Sequence, residues 1–173
     1  MRLFTVHGYN RTTTRDIAAT AGANVSLIAR YFGSKDGLYA AVLEASVGTI
    51  DAQSSSDLVG EIIAGLRQDA WPEFGGEHPL LLLLQQDADD DRTAELRRRA
   101  LSNAISRLTR QVRPEAPDHD PEARLRGAAM LALVAGVTAL HAAMPDDPFS
   151  AADEETLRAV LRDAVAGISA LGQ

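Results

Sequence analysis

The sequence predicts an all-α protein in two parts, a small helical unit over residues 1–46 and a larger helical bundle over residues 47–173. Three observations carry this. Apolar residues recur at spacings of three and four along most of the chain, the period of a helix buried on one side. Alanine and leucine are abundant while aromatic residues make up 5% of the chain, a balance that favours helix. No Asn-Gly or Asp-Gly turn stands between two alternating runs, so no hairpin is signalled.

The first helix is a stub from Arg2 to Val6, closed by Gly8. The second opens at TTRDIAATAG: Thr13 caps it, and Asp16 three residues on completes a capping-box spacing. Ile17, Ala18 and Ala21 face one side, and Gly22 stops the helix. Asn24 caps a third helix from Val25 to Phe32, which Gly33 breaks. Ser34 caps a fourth, with Asp36 in its first turn and Leu38, Val42 and Leu43 inward. Phe32, Ile17, Ile28 and Leu38 are expected in the core.

After Ser46 a polar connection, TIDAQSSSD, changes the character of the chain. Leu58 to Trp71 reads as a helix ending near Pro72, FGGEHP as a turn, and LLLLLQQ as a short buried helix. Thr93 to Val112 is long and amphipathic, with Leu96, Leu101, Ile105, Leu108 and Val112 near one side. After the proline-rich RPEAPDHDP, Pro121 opens the most apolar helix, which ends before Pro145. The last helix, from about Asp153, sets Leu157, Leu161, Ala164, Ile168 and Leu171 at spacings of three and four, a stripe suited to packing on another helix.

Composition excludes several classes. The chain has 173 residues, 46% hydrophobic and 24% charged, enough for a real core. It has no cysteine, so disulfides and thiolate chemistry are absent. Met1 to Tyr9 mixes charged and apolar residues and does not read as a secretory signal. The longest apolar stretch, Ala128 to Met144, contains Thr138 and His141 and is short for a membrane span. A cytoplasmic protein with no membrane partner is expected. The net charge is −7, yet residues 1–35 carry Arg2, Arg11, Arg15, Arg30 and Lys35 against Asp16 alone. That is +4 on residues 1–35 and −11 on residues 36–173, the pattern of a basic contact surface on an acidic body.

Two short helices joined at AGAN match a helix-turn-helix, whose second helix enters the major groove of DNA. The stretch from Phe4 to Ala45, FTVHGYNRTTTRDIAATAGANVSLIARYFGSKDGLYAAVLEA, resembles the DNA-binding domain of the TetR family of transcriptional regulators. It shares Leu-Phe and then Gly-Tyr at the first helix, Thr-Thr-Arg-Asp-Ile-Ala at the second, Ala-Gly at the turn, and Tyr-Phe-Gly-Ser-Lys-Asp-Gly-Leu into the fourth. The resemblance implies that Thr14 and Arg15 meet the DNA backbone. It also implies that Asn24, Val25, Ser26 and Leu27 read base edges, with Arg30 and Tyr31 farther along that helix, and that Lys35 contacts phosphate. The residue chemistry agrees. Arg and Lys neutralise phosphates, Asn, Ser and Arg bond to base edges, and Val25 or Leu27 can meet a thymine methyl. Asn24 acting only as a cap and Tyr31 as half core stay open. Two departures stand out. Ala29 occupies a position where the family commonly has a phosphate-contacting tyrosine. Met1 also lies two residues ahead of Phe4's neighbour Leu3, where the family has a longer first helix. A start farther upstream, or a weakened DNA-binding unit, is the alternative that this second departure predicts.

The resemblance also implies a homodimer formed by the last two helices and a palindromic DNA operator. Ala128, Ala132, Ala135, Gly136 and Ala139 would allow close approach of helices, completed by Leu157, Leu161, Ala164, Ile168 and Leu171. It implies a small-molecule effector pocket in the bundle, with Trp71, Phe74, His78, Leu82, Met130, His141 and Met144 as candidate liners; plain core is the competing reading of each. No distinctive polar constellation is visible among them, and the family norm is a small, largely apolar ligand. The acidic run Asp87 to Arg92 fails as a calcium loop, because Arg92 and Arg98 stand where Gly and Glu are needed. It reads as a solvated helix start, as does Asp118 to Glu122, and no metal or cofactor is expected. No nucleotide loop, HExxH or Gly-x-Ser-x-Gly is present, so no enzyme is expected. A ligand-responsive repressor is the leading reading. A small-molecule-binding helical dimer with weakened DNA binding is the alternative.

Overall fold

The structure, a computed structural model, describes residues 1–51, 57–66, 70–85, 91–117, 119–144 and 146–170. All regular structure among them is helical. The helices are α1 (Arg2–His7), α2 (Thr14–Thr20), α3 (Val25–Phe32), α4 (Lys35–Asp51), α5 (Leu58–Gly65), α6 (Pro79–Leu84), α7 (Asp91–Val112), α8 (Pro121–Ala143), α9 (Pro148–Ala151) and α10 (Glu154–Ser169), with a 3-10 turn at Pro72–Phe74.

Local chemistry sets most boundaries. Thr13 Oγ accepts from the Asp16 N–H at 3.1 Å and Asp16 accepts from the Thr13 N–H at 3.0 Å, a complete capping box. Those bonds from Thr13 hold the Asp16 carboxyl below its usual range. α2 ends in a Schellman motif: Gly22 takes φ 60°, Ala23 N–H donates to Ala18 O at 2.9 Å and Gly22 N–H to Ala19 O at 3.2 Å. Asn24 caps α3, Ser34 Oγ accepts from Gly37 N–H at 3.1 Å, and Asp120 and Asp153 cap α8 and α10.

Longer elements depart from expectation where the deciding contacts are distant. α4 runs on through Ser46 and Val47, both buried, to Asp51. α5 ends at Gly65 rather than Trp71, whose indole N–H instead donates to Gly65 O at 3.1 Å. α9, unsignalled by periodicity, is a single turn capped by Asp147. On α7 the buried line is Thr93, Arg97, Ala100, Ala104 and Leu108. Leu96, Leu101, Ile105 and Val112 flank it, partly buried, so the face is rotated from the leucine-centred one. The small residues at its centre let α7 lie close to its neighbours α4 and α8. Phe32 is 41% exposed, not core, and Ile17 is only partly buried.

Among the described residues, two apolar clusters hold the helices together. The larger joins Phe4, Tyr39, Leu43 and Val47 to Phe74, Leu80, Leu82, Leu108 and Met130. It spans both predicted parts, with α4 as the shared helix. The smaller joins Val59 and Ile62 of α5 to Val137 of α8 and to Leu157 and Leu161 of α10. Leu157 and Leu161 therefore spend their side chains inside the protomer. Leu171 lies outside the described residues.

By length and composition, α8 is apolar enough to cross a membrane. It also lies along α7, reaches α6 and α10, and carries Glu122, Arg124 and Arg126 in its opening turns. That is the anatomy of a helix with one face in a protein core.

Candidate nucleic-acid interface and ligand cleft

α3 holds only Ile28 inward. Val25, Leu27, Phe32 and Tyr31 are exposed, Tyr31 at 72%, as are Asn24, Ser26, Ala29 and Arg30. An eight-residue helix gains little by folding with one buried side chain, and clustered exposed apolar groups mark a contact surface. Asn24 Oδ1 accepts from both the N–H and the hydroxyl of Ser26, at 2.9 and 3.0 Å. The cap thus takes the carbonyl of Asn24 and leaves its amide N–H groups for another partner.

The flanking cations sit on either side. Arg15 is exposed on the first turn of α2, and Thr14 beside it is half-buried. Lys35 opens α4 with Nζ 3.9 Å from the centroid of the Tyr9 ring. Tyr9 in turn donates its hydroxyl to Asp36, which also pairs with Arg92 of α7 at 3.1 Å. Phe4 and Tyr9 both pack on Tyr39, at 5.1 and 5.0 Å. The short α1 is therefore pinned to α4 by an aromatic cluster, and Lys35 is oriented over it. Thr14, Arg15, Asn24 to Leu27, Arg30 and Lys35 lie on one contiguous unit, and its surplus of cations suits phosphate.

The effector candidates divide. Phe74, Leu82 and Met130 are fully buried core, and Trp71 is nearly so. His78, His141 and Met144 line a cleft of about 360 Å³ together with Leu66, Glu77, Leu81, Thr138, Asp147 and Ser150. This cleft carries a polar set that the sequence did not reveal. Asp147, 1% exposed, caps α9 through Oδ1, while Oδ2 receives His141 Nδ1 at 2.9 Å and the Ser150 hydroxyl at 2.7 Å. Burial pushes the Asp147 carboxyl up, but the bonds from Ser150, His141 and Phe149 pull it down to about 2. The Ser-His-Asp group is not arranged as a nucleophilic triad: Ser150 and Asp147 meet the same ring nitrogen, so no free imidazole nitrogen activates the hydroxyl. Asp147 before Pro148, a cap signal, was the one sequence clue to it. Among the described residues no cluster of three potential ligands could hold a metal.

His78 packs edge-on against Trp71 at 5.0 Å, and its Nδ1 accepts from Leu80 N–H at 3.2 Å. Burial lowers its pKa from 6.5 to about 4. The unfolded ring therefore binds its proton near 6.5 and the folded ring only near 4. Between those values the unfolded state holds more protons, so stability should fall with falling pH, by about 3 kcal/mol in full. The Asp147 contribution is lost only below about 3.8, so the two windows separate. Urea midpoints should slope downward between pH 6.5 and 4, and the slope should flatten in His78→Gln. An equal slope in that variant would clear His78.

Residues 1–42 match the family model described as bacterial regulatory proteins, tetR family. The HTH-type transcriptional dual regulator CecR of Shigella flexneri is 37% identical over 108 residues, a match covering 61% of this chain and 39% of the relative. The chain thus matches about two fifths of that relative's length. No solved structure matches.

Proposed function

We propose that this chain, whose first 42 residues belong to the TetR family of bacterial regulatory proteins, is a homodimeric, ligand-responsive cytoplasmic repressor that binds a palindromic operator. The observation that carries the reading is the exposed face of α3, capped at Asn24 and flanked by Arg15 and Lys35. Each protomer lays Asn24 to Tyr31 in a major groove, with Thr14, Arg15 and Lys35 on the phosphates. Fluorescence anisotropy on the DNA flanking its own gene, with a salt series and a scrambled duplex, tests it. Sequence-preferring binding that weakens with salt supports the repressor. Absence of any preference favours the alternative, a helical dimer that binds small molecules and not DNA.

Dimerisation is supported by an outward line on α8: Leu125, Ala129, Ala132, Gly136 and Leu140, with Val160 exposed on α10. Ala128, Ala139, Ala164 and Ile168 lie half-buried along its margins, whereas Ala135, Leu157 and Leu161 are inside the protomer. A side chain at Gly136 would meet nothing within 4 Å in the protomer. Gly136→Arg should therefore fold and yet run at 18.4 kDa in light scattering, while the native chain runs at twice that mass. A native chain of single mass would end the dimer proposal.

The cleft between His78 and His141 is the ligand site of this reading. Its His78 wall belongs to the segment that continues through α6 to Gln85, whose side-chain N–H donates to Thr5 O of α1 at 2.7 Å. A ligand that moves this wall bears directly on the DNA-binding unit.

A further inference from the structure

Arg110, Arg113 and Arg124 line a groove of about 270 Å³ where the end of α7 meets the start of α8. We propose that this groove binds a compact, multiply charged oxyanion, a phosphate-bearing small molecule, separately from the DNA-binding face and the histidine cleft. Several other arginines of the bundle face carboxylates: Arg92 pairs with Asp36, Arg99 with Glu95, Arg126 with Glu122 and Arg158 with Asp57. Among the described residues the three groove arginines form no ion pair, in a chain with 24 acidic residues to 17 basic ones.

A bland account covers two of the three. Arg110 lies in the last turn of α7 and Arg113 just past it, where cations complement the helix dipole. Arg124 does not fit that account. It stands in the opening of α8, near the positive end of the helix, and is placed by donating to Ser102 Oγ of α7 at 3.0 Å. Three guanidinium groups around one recess repel one another, and an anion between them converts that repulsion into attraction. The planar fork of each suits the paired oxygens of a phosphate group. The hydroxyls of Ser106 and Thr109 donate to Ser102 O and Ile105 O, so the guanidinium groups supply the affinity. The walls are fixed, because α7 and α8 touch backbone to backbone at Gly127, one turn from Arg124.

The test is calorimetric titration of the full native chain with tripolyphosphate at constant ionic strength, with citrate as a carboxylate counterpart. Binding should fall about tenfold or more in Arg113→Gln/Arg124→Gln, since charge-assisted bonds of this kind carry at least that factor. It should persist in Arg98→Gln/Arg99→Gln and in Arg15→Gln/Lys35→Gln, with circular dichroism confirming the fold of each. Citrate should bind more weakly than tripolyphosphate. No binding by the native chain, equal binding in the groove variant, or loss confined to the Arg15/Lys35 variant would each overturn the site. A preference for citrate would overturn the phosphate assignment.

Discussion

Arg15→Ala/Lys35→Ala should bind the operator at least about a hundredfold more weakly than the native chain, and its affinity should depend far less on salt. Each phosphate contact contributes about 0.9 to the slope of log affinity against log salt. A dimer with two such contacts per head loses four, so the slope should drop by about 4; a monomer would lose about 2. The slope thus reports stoichiometry as well as contact. Lys35 also lies over the Tyr9 ring, a contact of about 0.5–1 kcal/mol, so part of the loss could be structural. The two causes separate cleanly. A structural loss lowers affinity at every salt concentration and leaves the slope alone, whereas a lost phosphate contact flattens it. An unchanged slope would remove Arg15 and Lys35 from the DNA face.

The helices that carry Arg15 and Lys35 were legible in the sequence because their boundary signals are local. Thr13 with Asp16, Asn24 before Val25, Gly22, Gly33 and Ser34 each act within four residues, and the structure forms the corresponding caps and turns. What was not legible depends on distant neighbours. Leu157 and Leu161 have the spacing of an interface stripe, but only the position of α5 decides that they fill the protomer core. The leucines of α7 look like the centre of its buried face. Leu108 is buried there, but Leu96 and Leu101 flank a centre made by Ala100 and Ala104, because close approach of helices selects small residues and not large ones. Phe32 has the composition of core and 41% exposure, because α3 turns only Ile28 inward and leaves its other side chains at the surface. The group formed by His141, Asp147 and Ser150 left no signal beyond the cap at Asp147, for another reason. It bridges the end of α8 and the single turn of α9, and no periodic pattern crosses such a joint.

Gly127→Ala should be the most damaging conservative change in the bundle. In helices alanine is favoured over glycine by about 1 kcal/mol, so propensity alone predicts a gain. Packing predicts the opposite. A Cβ at Gly127 would stand 2.8 Å from Ile105 O and 2.8 Å from Thr109 N, with Thr109 Oγ1 nearer still. Two of these are backbone atoms of α7, which cannot turn aside as a side chain can; relief requires the helices to part. Overpacking of this kind costs about 1–3 kcal/mol and occasionally more. Net destabilisation of about 2 kcal/mol should follow, a fall of roughly 4–8 °C in Tm for a chain of this size. Gly48→Ala in α4 is the matched control, since a Cβ there meets nothing within 4 Å and the propensity gain should appear unopposed. If Gly127→Ala melts at or above the native temperature, α7 and α8 are farther apart than the structure places them. The arginine groove, whose two walls are joined at that crossing, would then lose its frame, so this measurement also bears on the anion site without any ligand present.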